Sequence, residues 1–284
     1  MNSVPNSVEI FGKKFELSKD YDNYLIIDIE AAERLTLKGL IADIPDIVNL
    51  EQLPFLKGLV LELRGITKIQ NLEKLTNLEY LSLGYNKINK IEGLDCLKNL
   101  RLLDLKYNDI SKIEGLSELN NLEILVLNNN KIHRMENLGN LTNLRVLTIV
   151  GNRIAKLEGL EHLSNLQVIC LYDNQIEKIE GLESLYKLER LELYRNRIKE
   201  IEGLENLRNL EELLLDENPI TELKGIEHLK KLRHLSIKQC KIVDKPDWIM
   251  FPSLTSVSSD FFIGNPKVEE RIQKMGSNSY CQKR

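Results

Sequence analysis

Apolar residues recur along this chain in one template. Leu78, Leu81, Leu83, Ile88, Ile91, Leu94 and Leu97 are answered by Leu100, Leu103, Leu105, Ile110, Ile113, Leu116 and Leu119, and the same stride runs on through Leu213 and Leu215. Two local periods are nested within it. Leu81-Ser82-Leu83 alternates with period two, which predicts a short strand with both leucines facing inward. Leu94, Leu97 and Leu100 are spaced by three, which predicts a short helical or 3-10 turn packing one apolar stripe. Between the two lies Asn86, repeated at Asn108, Asn130, Asn152, Asn174, Asn196 and Asn218. A buried amide there can bond backbone groups that a turn leaves unpaired, and one amide per unit predicts a ladder. Ala42 and Arg64 take this slot in two degenerate early units, and Cys240 takes it in the last regular one.

A second slot admits only two residue types: positions 49, 71, 93, 115, 137, 159, 181, 203 and 225 are glycine or asparagine throughout. Either a positive φ or the N-cap of a helical turn accepts both. The acids two residues further on, Asp95, Glu161, Glu183, Glu205 and Glu227, suit a helix start, so the cap is the expectation. Asn77, Asn99, Asn121, Asn143, Asn165 and Asn209 punctuate the return to the next strand. The seven apolar side chains of one 22-residue unit cannot offset the conformational entropy of ordering it, so units must stack. The predicted fold is an α/β solenoid of about ten 22-residue repeats, a horseshoe with a parallel β-sheet on the concave face and short helical or 3-10 turns on the convex face.

The same pattern divides the chain. Residues 1–33 form an N-terminal cap, with a hairpin across Gly12-Lys13 and a strand over Tyr24–Ile29 covering the first edge of the stack. The repeats run over 34–243. A C-terminal cap follows over 244–275, where Trp248 fills the slot of a helical leucine and Asn265-Pro266 opens a helix; 276–284 reads as a disordered tail.

Composition narrows the function classes. A net charge of -4 and a pI near 5.8 give no charge-driven affinity for nucleic acid. Cys96, Cys170, Cys240 and Cys281 have neither paired nor CxxC spacing, so no disulfide framework or zinc site is expected. No stretch approaches a membrane span and the start has no secretion signal, so the expectation is a cytoplasmic protein with free thiols, with the nucleus also open to it. Asn140-Leu141-Thr142 is formally a glycosylation acceptor that needs a secretory route. Asp104 and Glu192 lie four units apart, His162 and His228 three, too distant for a carboxylate pair or a shared metal. The chain is therefore expected to be no enzyme, to hold no cofactor or metal, and to be a monomer on its own.

The consensus Leu-x-x-Leu-x-Leu-x-x-Asn-x-Ile-x-x-Ile-Glu-Gly-Leu, carried most closely by 91–94, 113–116, 179–182 and 201–204, resembles the leucine-rich repeat. Its 22-residue form is similar to the intracellular subclass typified by the leucine-rich-repeat regulatory subunit of type 1 protein phosphatase. That resemblance implies a solenoid that binds proteins, and as a narrower possibility a regulator of a serine/threonine phosphatase. In that subclass the residue between the strand leucines alternates between acidic and aromatic; here it reads Asp104, Val126, Thr148, Cys170, Glu192 and Leu214, so the acids match in part and the aromatics do not. Bacterial internalins share the period but usually place proline where these glycines sit and carry secretion signals; a secreted internalin-like adhesin is the further alternative.

Positions that repeat build the stack, so recognition is sought where units differ. Residues flanking the inward leucines point to the concave face. There Leu102, Ile124, Val126, Val146, Val150 and Val168 are expected to form a solvent-facing apolar patch framed by Tyr85, Tyr107, Tyr172 and Tyr194, the composition of a protein interface. Glu192, Glu212, Asp216 and Glu217 at one end add acidic steering toward a basic partner, and Asp104 is a further candidate contact on this face. The predicted function is a non-enzymatic scaffold or regulator that docks a folded protein partner through this face.

Overall fold

A computed structural model describes residues 56–242 and 253–259, together with the backbone of five short strands near the start of the chain. These are β1 (Ser7–Ile10), β2 (Lys13–Glu16), β3 (Lys19–Asp20), β4 (Tyr24–Ile26) and β5 (Ile47–Val48). Trp248, the Asn265-Pro266 helix, the 276–284 tail, Cys281 and the slots at 42 and 49 lie outside the described residues.

The chain forms two compact units, Met1–Arg153 and Ile154–Arg284. In the first, β6 (Gly58–Val60), β7 (Tyr80–Ser82), β8 (Leu102–Asp104), β9 (Ile124–Val126) and β10 (Val146–Thr148) pair in parallel, each residue opposite its equivalent one repeat on. In the second, β11 (Val168–Cys170), β12 (Arg190–Glu192), β13 (Glu212–Leu214), β14 (His234–Ser236) and β15 (Ser256–Ser258) do the same. Each unit is thus a solenoid whose coils contribute one strand apiece. The step from β14 to β15 keeps the repeat's stride across the two prolines of 246 and 252.

The hairpin across Gly12-Lys13 is present as β1 against β2, with β5 on the other side of β1. The neighbour of β6 is β4, with Tyr24 opposite Gly58, so this first step takes far more chain than the later one from Gly58 to Tyr80. Beyond β4, β3 runs antiparallel and ends the sheet.

The core lies inside the coils. In the coil that starts at β7, Leu81, Leu83, Ile88, Ile91, Leu94, Leu97 and Leu100 are all essentially without solvent contact. Two expectations about the opposite side of the coil resolve differently. The 3-10 hydrogen bonds are there, Leu97 N–H to the Leu94 carbonyl at 2.9 Å and Leu100 N–H to the Leu97 carbonyl at 3.0 Å. They stay isolated turns, and among the described residues there is no helix. The glycine and asparagine slot is correspondingly no helix cap: Asn71, Gly93, Gly115, Asn137, Gly159, Gly181, Gly203 and Gly225 all have φ between 57° and 80°. A Cβ on Gly115 would sit 2.3 Å from the Ile91 carbonyl oxygen. At Asn137 the side-chain amide instead donates to the equivalent carbonyl, Ile113, at 2.8 Å.

The buried ladder forms as expected. Asn86 Nδ2 donates to the carbonyls of Leu61, Leu83 and Gly84, and its Oδ1 accepts from the Arg64 and Ile66 amides. A second ladder runs along the exposed turns. Asn99, Asn121, Asn143 and Asn209 each donate to a carbonyl of the preceding coil, those of Thr76, Lys98, Asn120 and Tyr186, and so tie neighbouring coils together.

Candidate functional site

The strands are short, so each coil offers two outward side chains and whatever the following turn adds. In unit 1 the first outward row is Tyr80, Leu102, Ile124 and Val146, on four paired strands. All four are half-buried. The second row is Ser82, Asp104, Val126 and Thr148. Val126 is half-buried, so an apolar strip of Leu102, Ile124, Val126 and Val146 does reach the outward surface. Val150 does not belong to it. It is 5% exposed, because β10 ends at Thr148 and strand alternation no longer governs position 150.

Beyond the strands the chain enters the left-handed region. Tyr85 and Tyr107 hold φ of 55° and 51°, a conformation bulky residues rarely adopt. Both are exposed, 41% and 46%, and their rings stack at 4.4 Å between centroids and 9° between planes. Unit 2 has its own pair: Tyr172 and Tyr194, half-buried, stack at 4.1 Å and 12°. Burial, then the hydroxyl contact with Tyr172, pushes the Tyr194 phenol above its ordinary pKa.

The acids are not free. Asp104 is 8% exposed and its Oδ2 lies 2.9 Å from Lys106 Nζ, while Oδ1 accepts the Lys106 amide. The same ammonium lies 3.1 Å from Glu62 Oε1, two coils away, and 5.5 Å from the centre of the Tyr85 ring. Partial burial pulls the Lys106 pKa down, but hydrogen bonds to Asp104 and Glu62 outweigh it and hold the ammonium above the usual lysine value. Gly84 makes the long reach possible. It stands between Glu62 and Lys106, and a Cβ there would meet Lys106 Cγ at 3.1 Å and Glu62 Oε1 at 3.3 Å.

In unit 2 Glu192 is 6% exposed and paired with Arg190 at 2.5 Å; Arg190 also reaches Glu212 at 3.1 Å. Arg195 joins Glu217 at 2.9 Å and Asp173 at 3.8 Å. Asp216, half-buried, accepts from the Ser236 hydroxyl and the Lys238 amide. Val168, half-buried, lies beside Arg190 in register rather than beside another apolar residue of its unit. The expected acidic steering group is therefore largely a set of ion pairs. Burial, then the Glu192 carboxylate, pushes the neighbouring Cys170 thiol up to about 12, which leaves it protonated and unreactive.

Glu62, Lys106 and Arg195 are side chains that the repeat pattern alone does not single out. Their signal was present, since Arg195 with Glu217 and Arg190 with Glu212 stand one repeat apart and Glu62 with Lys106 two repeats. Among the described residues no group of histidine, cysteine and carboxylate side chains could hold a metal, and no helix is long and apolar enough to cross a membrane. What the face offers is aromatic, apolar and ion-paired surface.

Coils of one short strand, a buried asparagine rung and a leucine-lined turn define a repeat protein of binding type. The family profiles described as "Leucine rich repeat" and "Leucine Rich repeats (2 copies)" match residues 56–110 and, in four overlapping stretches, 98–206. The chain belongs to the leucine-rich repeat family. It is similar to an internalin, inlF, of Listeria monocytogenes, with 30% identity, a TM-score of 0.67, and 80% of this chain and 74% of the other covered. A second Listeria monocytogenes internalin, inlC2, is 29% identical with a TM-score of 0.62, covering 66% of this chain and 82% of its own. The TLR13 chain of a TLR13–ssRNA13 complex is 25% identical with a TM-score of 0.59, over 74% of this chain and 36% of that one. No curated protein matches the sequence.

Proposed function

We propose that the protein is a non-enzymatic interaction scaffold or regulator, monomeric and cytoplasmic, that docks a folded protein partner on the outward face of its sheet. The observation that supports this is the row Leu102, Ile124 and Val146, three half-buried apolar side chains on adjacent strands, with the exposed Tyr85 and Tyr107 in the turns that follow β7 and β8. Apolar surface edged by tyrosine is the composition of interface hot spots. Its test is affinity capture with the full chain against Ile124→Glu and Val146→Glu. Both variants should lose partner recovery about tenfold or more while melting within about 2 °C of the parent, since a half-exposed position tolerates a carboxylate. Undiminished recovery would sink the reading.

Regulation of a phosphatase would draw on Asp104 and Glu192, and both are buried and engaged with Lys106 and Arg190. The narrower role thus gains nothing from the site. Similarity to two internalins favours a second reading instead, a secreted or surface adhesin of internalin type. Fractionation of the native source separates the two: an exported, cell-surface protein supports the adhesin and a reduced cytosolic one supports the scaffold.

A further inference from the structure

Three cations, one in unit 1 and two in unit 2, share one arrangement. Lys106 is held by Asp104 and Glu62, Arg190 by Glu192 and Glu212, and Arg195 by Asp173 and Glu217. Each is a single positive charge between two carboxylates. Tyrosine stacks accompany them: Lys106 lies over the Tyr85 ring of the unit 1 pair, and Arg195 directly follows Tyr194 of the unit 2 pair. Asp216 and Lys238 add one charge of each sign to the second unit. The seats are built for cations, and each remains one positive charge short of neutral. On the edge where the chain enters the strands of unit 1 the order reverses, with Glu123 shared by Arg101 and Arg145. The carboxylate-rich seat of unit 1 therefore lies on the exit side, where its tyrosines lie.

The tyrosines of unit 1 carry a second argument. Their slot holds φ between 51° and 63° in every described coil, where Leu63, Asn129, Gly151, Asp173, Arg195, Glu217 and Gln239 also stand, so the repeat imposes the conformation and leaves the side chain free to vary. Tyr85 and Tyr107 hold that conformation against their own preference, and both rings stay in solvent. Folding does not require an aromatic group there. An exposed, stacked aromatic pair beside a carboxylate seat is arranged for contact with something outside the chain.

We infer that the partner presents a cationic segment, with arginine or lysine side chains laid against a tyrosine stack and shared by the paired carboxylates of the same unit. Lys106, Arg190 and Arg195 occupy in the free protein the kind of position that the partner's cations share on binding. An arginine suits the seats best, since its planar fork can bond a carboxylate and lie on an aromatic ring at once. This rests on the scaffold reading and names the chemistry of its partner. RNA, with its repeating phosphates, would meet carboxylates at every seat and is disfavoured.

The test uses the full chain and three fluorescent probes: an alternating arginine–glycine decapeptide, its glutamate–glycine counterpart, and an oligouridylate of equal length. The arginine peptide should bind and the other two should not. Tyr107→Asn, which keeps the left-handed turn as Asn129 does, should weaken binding about fivefold without lowering the melting temperature. Glu62→Gln, Glu212→Gln and Glu217→Gln together should weaken it about tenfold or more. Should that triple variant lose its fold, the single variant Glu217→Gln, on an exposed ion pair, replaces it. Lys106→Met, which vacates a seat, should tighten binding about threefold, whereas a purely structural lysine would not have this effect. Equal binding of the glutamate peptide or the oligouridylate, no binding of the arginine peptide, or indifference to both Tyr107→Asn and the carboxylate variants overturns the proposal. If a partner captured by the parent and lost by Ile124→Glu is not displaced by the arginine peptide, only the cationic class fails. If Ile124→Glu changes nothing in capture, the scaffold reading fails with it.

Discussion

At the scale of one residue, the buried asparagine is the most heavily used side chain of the repeat. Asn108 Nδ2 lies 2.9 Å from the Leu83 carbonyl, 3.1 Å from that of Leu105 and 3.2 Å from that of Lys106, while Oδ1 accepts the Ile88 amide at 2.9 Å. The bonds to Leu83, Leu105 and Ile88 are buried, and that to Lys106 is partly so. Leaving a buried group unpaired costs about 1–3 kcal/mol, and relaxation recovers part of it. Asn108→Ala should therefore lower unfolding stability by about 2–4 kcal/mol in a denaturant titration. Cysteine is the informative comparison. At position 240 the thiol donates to the Leu215 carbonyl at 3.4 Å, the place that an amide Nδ2 takes at Asn218 with Leu193. Asn108→Cys keeps one weak donor and should cost less than the alanine; an equal or greater loss would mean that bulk, not hydrogen bonding, sets the slot.

At the scale of the element, the strand and the turn were unequally legible. Leu81-x-Leu83 has the period of a strand and the leucines leave no second reading, so β7 and its equivalents fall where alternation puts them. The Leu-x-x-Leu-x-x-Leu stripe is compatible with a helix or with successive single turns. The hydrogen bonds decide it, because Leu94, Leu97 and Leu100 pair with one another in single turns and leave no continuous run. The glycine slot departs from the expected helix cap for a related reason: acids two residues later are consistent with a helix start, yet no helix follows among the described residues. What position 115 meets is the carbonyl of Ile91, a neighbour in the preceding coil that no local pattern reveals. Gly115→Ala combines a φ of 67° with that contact and should cost about 3 kcal/mol or more in thermal or chemical unfolding. Gly115→Asn should cost clearly less, because Asn137 already holds this conformation at 57° by donating to the Ile113 carbonyl.

At the scale of the whole molecule, the repeat states its own stride, and the parallel register of the coil strands within each unit follows from it. The recognition surface was legible only where strand alternation applies. Leu102, Ile124 and Val146 emerged from the period, whereas Val150, two residues past its strand, turned inward. The pairing of Asp104 was hidden because the lysine it holds, Lys106, is shared with Glu62, which comes from two coils away across Gly84. Such columns are set by the stack as a whole and not by any one repeat.

A stack whose coils bond only to their neighbours should also transmit damage locally. Leu191 is fully buried in β12, which pairs with β11 on one side and β13 on the other. Leu191→Ala opens a cavity that should cost about 2–5 kcal/mol. Hydrogen exchange followed by mass spectrometry would show where that loss falls. Amides of β11, β12 and β13 should exchange faster than in the parent, and those of β14 and β15, one and two coils further on, should change least. A uniform acceleration across all five strands would mean that unit 2 unfolds as one cooperative body and that nearest-neighbour bonding does not set its stability.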